Sequence, residues 1–183
     1  MRVKSRLMVA FVAGLLAASA TGVSAQEGDS GAAFFAVNLS PSGPPTEPEP
    51  GDSGDGWAMF IGLTQEDIVV DAGDPRASGL LASAQNGTDF ELPDGRMGIT
   101  LGTYRLVNDQ GAWDGTGTIT SRGEDGPPTH VSGWWTFSGD GAYDGLTLEL
   151  HGEPLNERME EVWWGVIYPT EATPPTPEPI PAN

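Results

Sequence analysis

The chain predicts an all-β fold, a barrel or a sandwich of short antiparallel strands. Three observations lead there. Over residues 112–150 (AWDGTGTITSRGEDGPPTHVSGWWTFSGDGAYDGLTLEL) apolar and polar residues alternate at period two, the spacing that puts successive side chains on opposite faces of a strand. Glycines, Asp-Gly pairs and Pro127-Pro128 interrupt that alternation where hairpins need residues that take tight turns. Beyond the first 25 residues, no stretch repeats apolar residues at helical spacing over ten positions.

Residues 1–25 read as a secretory signal peptide. Arg2, Lys4 and Arg6 precede the uncharged run 7–18, and Val23-Ser24-Ala25 supplies small residues for cleavage after Ala25. The run is shorter than the roughly 20 residues that span a bilayer as a helix. Without cysteine there is no lipid attachment at a lipobox. The expected location is secreted, either extracellular or in the periplasm and cell envelope. Cleavage removes three of the eight basic residues and none of the 26 acids, leaving five arginines and a formal charge of −21. Such a surface repels phosphate backbones and anionic membrane surfaces, so no nucleic acid is expected as a partner, and no segment after residue 25 is apolar enough to predict a membrane span. No disulfide is available, so core burial alone must hold the fold, and six Trp, six Phe and three Tyr can supply it.

Residues 26–32 are small and polar, a flexible start, and 34–39 form a first strand. The proline- and acid-rich insertion 40–56 lacks large apolar residues and predicts a disordered or extended loop, as does the tail 170–183. Between them, strands are expected at 57–63, 68–71, 79–84, 97–107, 113–121, 131–137, 146–153 and 162–168. Their separators include Asp74-Pro75, Asn86-Gly87, Pro93-Asp94-Gly95, 108–111, 123–128 and 139–141. Even spacing of short strands indicates one domain over 33–169. Alternation places Leu146, Leu148 and Leu150 on one face against Thr147, Glu149 and His151. It also sets Trp134 opposite Trp135, and Trp163 opposite Trp164.

The run Gly139-x-Gly141-x-Tyr143-x-Gly145, followed by an apolar strand, resembles the central signature of the allene oxide cyclase and dirigent barrels. A wider pattern is similar to a group of small exported bacterial proteins. It comprises Asp74-Pro75-Arg76-x-Ser78-Gly79, Gly102-Thr103-Tyr104-Arg105-Leu106-x-Asn108, Gly111-x-Trp113-x-Gly115-Thr116 and Gly165-Val166-Ile167-Tyr168-Pro169. The resemblance implies an allene oxide cyclase-like, eight-stranded antiparallel barrel with a lumen. A β-sandwich is the alternative. Catalytic residues of the plant families have no counterparts here, and fold alone does not carry activity.

Several side chains are candidates for chemistry. Arg105, inside an otherwise apolar strand, and Arg76, after an Asp-Pro turn, are candidate ligand contacts, Arg105 by entering the lumen and offering its fork of donors. The competing reading is a structural ion pair. Glu149 and His151 share a strand face and form a candidate acid–base pair, lining the lumen with Thr147 or meeting solvent. Trp113 and Trp134 are candidate aromatic contacts; exposed rings at Trp57, Trp134 or Trp163 would stack on sugars, whereas buried ones fill the core. Asp140 and Asp144 are candidate calcium ligands in a glycine-rich turn, as are the pairs Asp52–Asp55 and Asp71–Asp74. His130 reads as surface, and no cofactor is expected. The expected role is non-catalytic: holding a small hydrophobic ligand in the barrel, or a structural part at the cell surface. A cyclase or isomerase working in the lumen and a carbohydrate-binding module are the alternatives. Related barrels dimerise or trimerise, so a homo-oligomer is a further expectation.

Overall fold

The computed structural model describes residues 33–71, 73–124, 130–154 and 161–177; the expected signal peptide and the start 26–32 lie outside them. The fold is all-β. Nine strands run as β1 (Ala33–Pro41), β2 (Glu49–Gly54), β3 (Trp57–Asp71), β4 (Gly79–Leu92), β5 (Gly95–Val107), β6 (Gly111–Gly123), β7 (His130–Gly141), β8 (Leu146–Pro154) and β9 (Glu161–Pro169). Single 3-10 turns occupy Pro75–Ala77 and Thr170–Ala172. Among the described residues all strands belong to one antiparallel sheet in the order β1-β9-β8-β7-β6-β5-β4-β3-β2.

The expected closed eight-stranded barrel is corrected. β1 pairs with β9 over Ala33–Val37 and with β3 over Val37–Pro41, so only Val37 has partners on both sides. The two ends of the sheet meet through a strand that changes neighbour halfway, without a continuous two-sided ladder.

The insertion 40–56 is corrected as well. Ser42 and Thr46 donate backbone N–H bonds to the carbonyls of Glu66 and Thr64 (3.0 and 2.9 Å), and β2 then pairs with Trp57–Ile61. The N-terminal ribbon therefore follows β3 antiparallel from Asp71 to Trp57. Backbone ladders need no apolar side chains, and prolines are tolerated on an edge strand. The start of the tail is similarly tied: Thr170 N–H reaches the Gly145 carbonyl at 2.9 Å, and its hydroxyl meets that of Thr147 at 3.0 Å.

Two expected breaks are absent. Strands 57–63 and 68–71 are one strand, β3, and Asn86-Gly87 lies inside β4. Residues 64–67 pair without a break with 81–84, and Asn86-Gly87 stands opposite a bulge between Phe60 and Leu63. Gly62 takes φ 74° there, and its N–H donates to Asn86 Oδ1 at 2.8 Å. Phe60 crosses the cross-strand position of Gly87, where an added Cβ would stand 2.3 Å from the ring. Glycine and asparagine serve the bulge here, not a turn.

The inner face carries the core, centred on Leu63, Leu81, Leu106, Trp113, Trp135, Phe137, Tyr143, Leu148, Leu150, Trp163 and Ile167, all buried. The leucine face of β8 is inward as expected, and Trp135 and Trp163 are the inner members of their pairs. They stack with centroids 4.0 Å apart. Trp135 lies across Gly117 and Gly133, where a Cβ would meet its ring at 2.1 Å. Small residues on β6 and β7 thus make room for large rings, which fill this part of the interior.

Candidate functional site

Asp74, Arg76, Ser78, Asn108, Gly111 and Trp113 of the wider sequence pattern converge with Tyr143 at one end of the sheet. Asp74 caps the Pro75–Ala77 turn by accepting from Arg76 N–H at 3.0 Å, and its carboxylate also takes Arg76 Nε (3.0 and 3.1 Å) and an Arg76 terminal nitrogen. Burial pushes the Asp74 carboxyl up, but the hydrogen bonds and charge of Arg76 outweigh it and hold it below the usual carboxylate range. The Arg76 carbonyl accepts from Trp113 Nε1 at 2.9 Å. Asn108 Nδ2 donates to the Ser78 carbonyl at 2.9 Å, while its Oδ1 accepts from Gln110 N, Gly111 N and the Tyr143 hydroxyl. Trp113, fully buried, stacks on Tyr143 at 4.8 Å. Arg76 and Trp113 are therefore structural here and do not present themselves to a ligand. In the neighbouring turn, Asp140 accepts from Gly141 N–H at 2.8 Å and Asp144 is exposed. No three His, Asp or Glu side chains converge on a metal position among the described residues.

Arg105 does not enter the interior. Its strand position faces outward, opposite Asp114 of β6, and the two form an ion pair with both side chains half exposed. This pair edges an open groove of about 620 Å³ that runs under Ser42–Thr46. Glu149 and His151 also face outward, because Leu148 and Leu150 take the inner positions; the expectation that they line a lumen is corrected.

On that outer face they belong to an aromatic row. Cross-strand register aligns Trp134 of β7, His151 of β8 and Trp164 of β9. The His151 ring lies 3.9 Å from Trp134 and 4.4 Å from Trp164, centroid to centroid. His151 is 5% exposed, shielded by its neighbours, whereas Trp134 is 62% exposed. In the next row Glu149 accepts from the Thr136 hydroxyl at 3.0 Å and the Tyr168 hydroxyl at 3.3 Å. The arrangement offers a rigid apolar ring face beside fixed hydroxyl and carboxylate groups. Trp57 is half-buried and His130 exposed.

A second constellation escaped the sequence reading. Gln65 and Asp67 of β3, Ser83 and Gln85 of β4, Tyr104 of β5 and Trp135 of β7 meet on the inner face. Gln65 Nε2 donates to Asp67 Oδ1 at 2.8 Å, and Gln85 Nε2 donates to Ser83 Oγ at 2.9 Å. Tyr104 lies over Gly102 and meets Trp135 edge-on at 6.1 Å. Burial pushes the carboxyl of Asp67 up against the opposing Gln65 hydrogen bond. Burial likewise raises Tyr104, with the Asp67 charge adding to it and Trp135 opposing. The signal in the sequence points the wrong way. In 80–85 the small apolar residues Leu80, Ala82 and Ala84 look like the core face, yet Leu81, Ser83 and Gln85 are the buried ones.

Among the described residues no helix is long and apolar enough to cross a membrane. No family model, curated protein or solved structure matches this chain.

Proposed function

We propose that the chain is a non-catalytic binding protein that takes neutral carbohydrate on the outer row of Trp134, His151 and Trp164. The observation that carries this reading is the exposure of Trp134 on a ring held in place by His151. The exposed indole continues into the His151 and Trp164 rings, so the surface is a contiguous aromatic row and not a singly scattered apolar residue. A sugar presents an apolar C–H face for the ring and hydroxyls for Glu149, Thr136 and Tyr168. The strongly acidic composition favours an uncharged ligand over an anionic one. A small apolar ligand in the interior has less support, since Trp135, Phe137 and Trp163 occupy the space it would take. The acid–base reading of Glu149 and His151 is also weaker: the imidazole is covered by two indoles, out of reach of a substrate proton.

The test is tryptophan fluorescence and titration calorimetry with cello-, xylo- and chito-oligosaccharides. Saturable binding to one class, lost in Trp134→Ala, supports the reading. Absence of binding to all three, or binding unchanged by the substitution, overturns it.

A further inference from the structure

The inner polar constellation is separate from the outer row, and its hydrogen bonding is unbalanced. Both amide nitrogens are committed, Gln65 Nε2 to Asp67 and Gln85 Nε2 to Ser83. Gln65 Oε1, Gln85 Oε1, the Tyr104 hydroxyl and Trp135 Nε1 are buried without a hydrogen-bond partner. Gln85, Tyr104 and Trp135 are each more than nine-tenths buried, so these are desolvated groups and not surface ones. The indole N–H has the Tyr104 oxygen as a neighbouring acceptor, which leaves two amide oxygens and the carboxylate of Asp67 in excess. Asp67 is itself 8% exposed and has no ion pair among the described residues.

Excess acceptors, an uncompensated acid and two aromatic rings select a ligand class. An anion finds no cationic group here. A neutral amide would satisfy the amide oxygens but leave the carboxylate uncompensated. Calcium sites gather several carboxylates, whereas Asp67 is the one acid of this set and no three His, Asp or Glu side chains converge among the described residues. An ammonium group supplies charge and several N–H donors together, and it gains further from aromatic faces.

We propose that this constellation binds a small organic ammonium. Asp67 supplies the countercharge, Gln65 Oε1 and Gln85 Oε1 accept its N–H groups, and Tyr104 and Trp135 flank it.

The experiment is calorimetric titration of the full chain with methylammonium chloride, with sodium chloride and acetamide as matched controls, and with a crystal structure from the same solution. The expected result is saturable methylammonium binding, weakened at least tenfold in Asp67→Asn and in Gln85→Leu but unchanged in Trp134→Ala. The last variant separates this site from the carbohydrate row. Asp67→Asn removes a buried acid and is expected to stay folded; if circular dichroism shows otherwise, Gln85→Leu and Tyr104→Phe carry the test. Equal binding of acetamide, retained binding in Asp67→Asn, or a cluster filled with water alone would overturn the proposal.

Discussion

Trp113 Nε1 donates to the carbonyl oxygen of Arg76 at 2.9 Å, joining β6 to a turn 37 positions earlier. The bond sits in a network in which Asn108 faces the same turn with its amide nitrogen and Tyr143 with its amide oxygen. Residues dispersed over seventy positions of sequence thus act as one clamp.

Tyr143→Phe keeps the stack on Trp113 and deletes only the hydroxyl donor. Asn108 Oδ1 retains two backbone N–H partners, so the loss is expected to be about 0.5–1.5 kcal/mol. Trp113→Phe removes the shorter of the two hydrogen bonds to the Arg76 carbonyl, leaving Asn108 Nδ2 at 3.3 Å, and opens a void beside Tyr143, and is expected to cost more. Urea unfolding of both variants ranks them.

Asp74 gives the fold an acid limit. Its folded-state pKa is depressed, so its contribution is full above the ordinary carboxylate value of about 3.9 and is lost as pH falls through the lower folded value. Arg76→Gln removes the partner responsible. The melting temperature of the wild type should therefore fall more steeply than that of the variant between pH 4 and pH 2.

Asp67 works in the opposite sense. Its pKa is raised by burial, so the folded state holds the proton longer than the unfolded one. Stability declines as pH rises from about 3.9 through the raised value and stays lower above it. Asp67→Asn is expected to melt higher than wild type at pH 7 and at the same temperature near pH 3. A pH series of thermal melts checks this.

Gly117→Ala and Gly133→Ala each place a methyl 2.1 Å from the Trp135 indole. Stacking on Trp163 restrains that ring from moving aside. Destabilisation of about 1–3 kcal/mol is expected for each, accompanied by a change in near-UV circular dichroism from the displaced indole.

Trp134→Ala should leave the melting temperature within a degree or two, because the side chain is largely exposed and surface changes fall within about 0.5 kcal/mol. A large drop would mean that Trp134 serves chiefly to cover His151. Differential scanning calorimetry distinguishes the two.

How legible all this was in the sequence varies with the cleanness of the alternation. β7 and β8 read correctly because Trp135, Phe137, Leu148 and Leu150 alternate with polar residues, so one face is plainly the core. The same rule put Glu149 and His151 on one face but not on which side of the sheet it lay; only the inward leucines decide that. β3 was split and β4 cut short because the polar run 64–67 and Asn86-Gly87 look like breaks, whereas both lie within paired strands and Gln65, Asp67, Ser83 and Gln85 face inward. The insertion 40–56 was misread for a different reason. Its order comes from backbone bonds to β3, and a composition rule sees only side chains. Arg105 could be read as lumen-facing until its cross-strand neighbour was known to be Asp114.

The split strand β1 links the earliest described part of the chain to the last. Ala33–Val37 can complete its ladder only with Trp163–Ile167 of β9. A chain emerging in order from its N-terminus must leave that first strand waiting until nearly all the rest exists. Such distant pairing makes for slow assembly. The ribbon that precedes β3 is then free to zip along its neighbour early, while the final seam is a late event tied to the arrival of β9. Truncation before residue 163 should yield a molecule with most of its hairpins formed and its first strand half unpaired, an open edge prone to self-association.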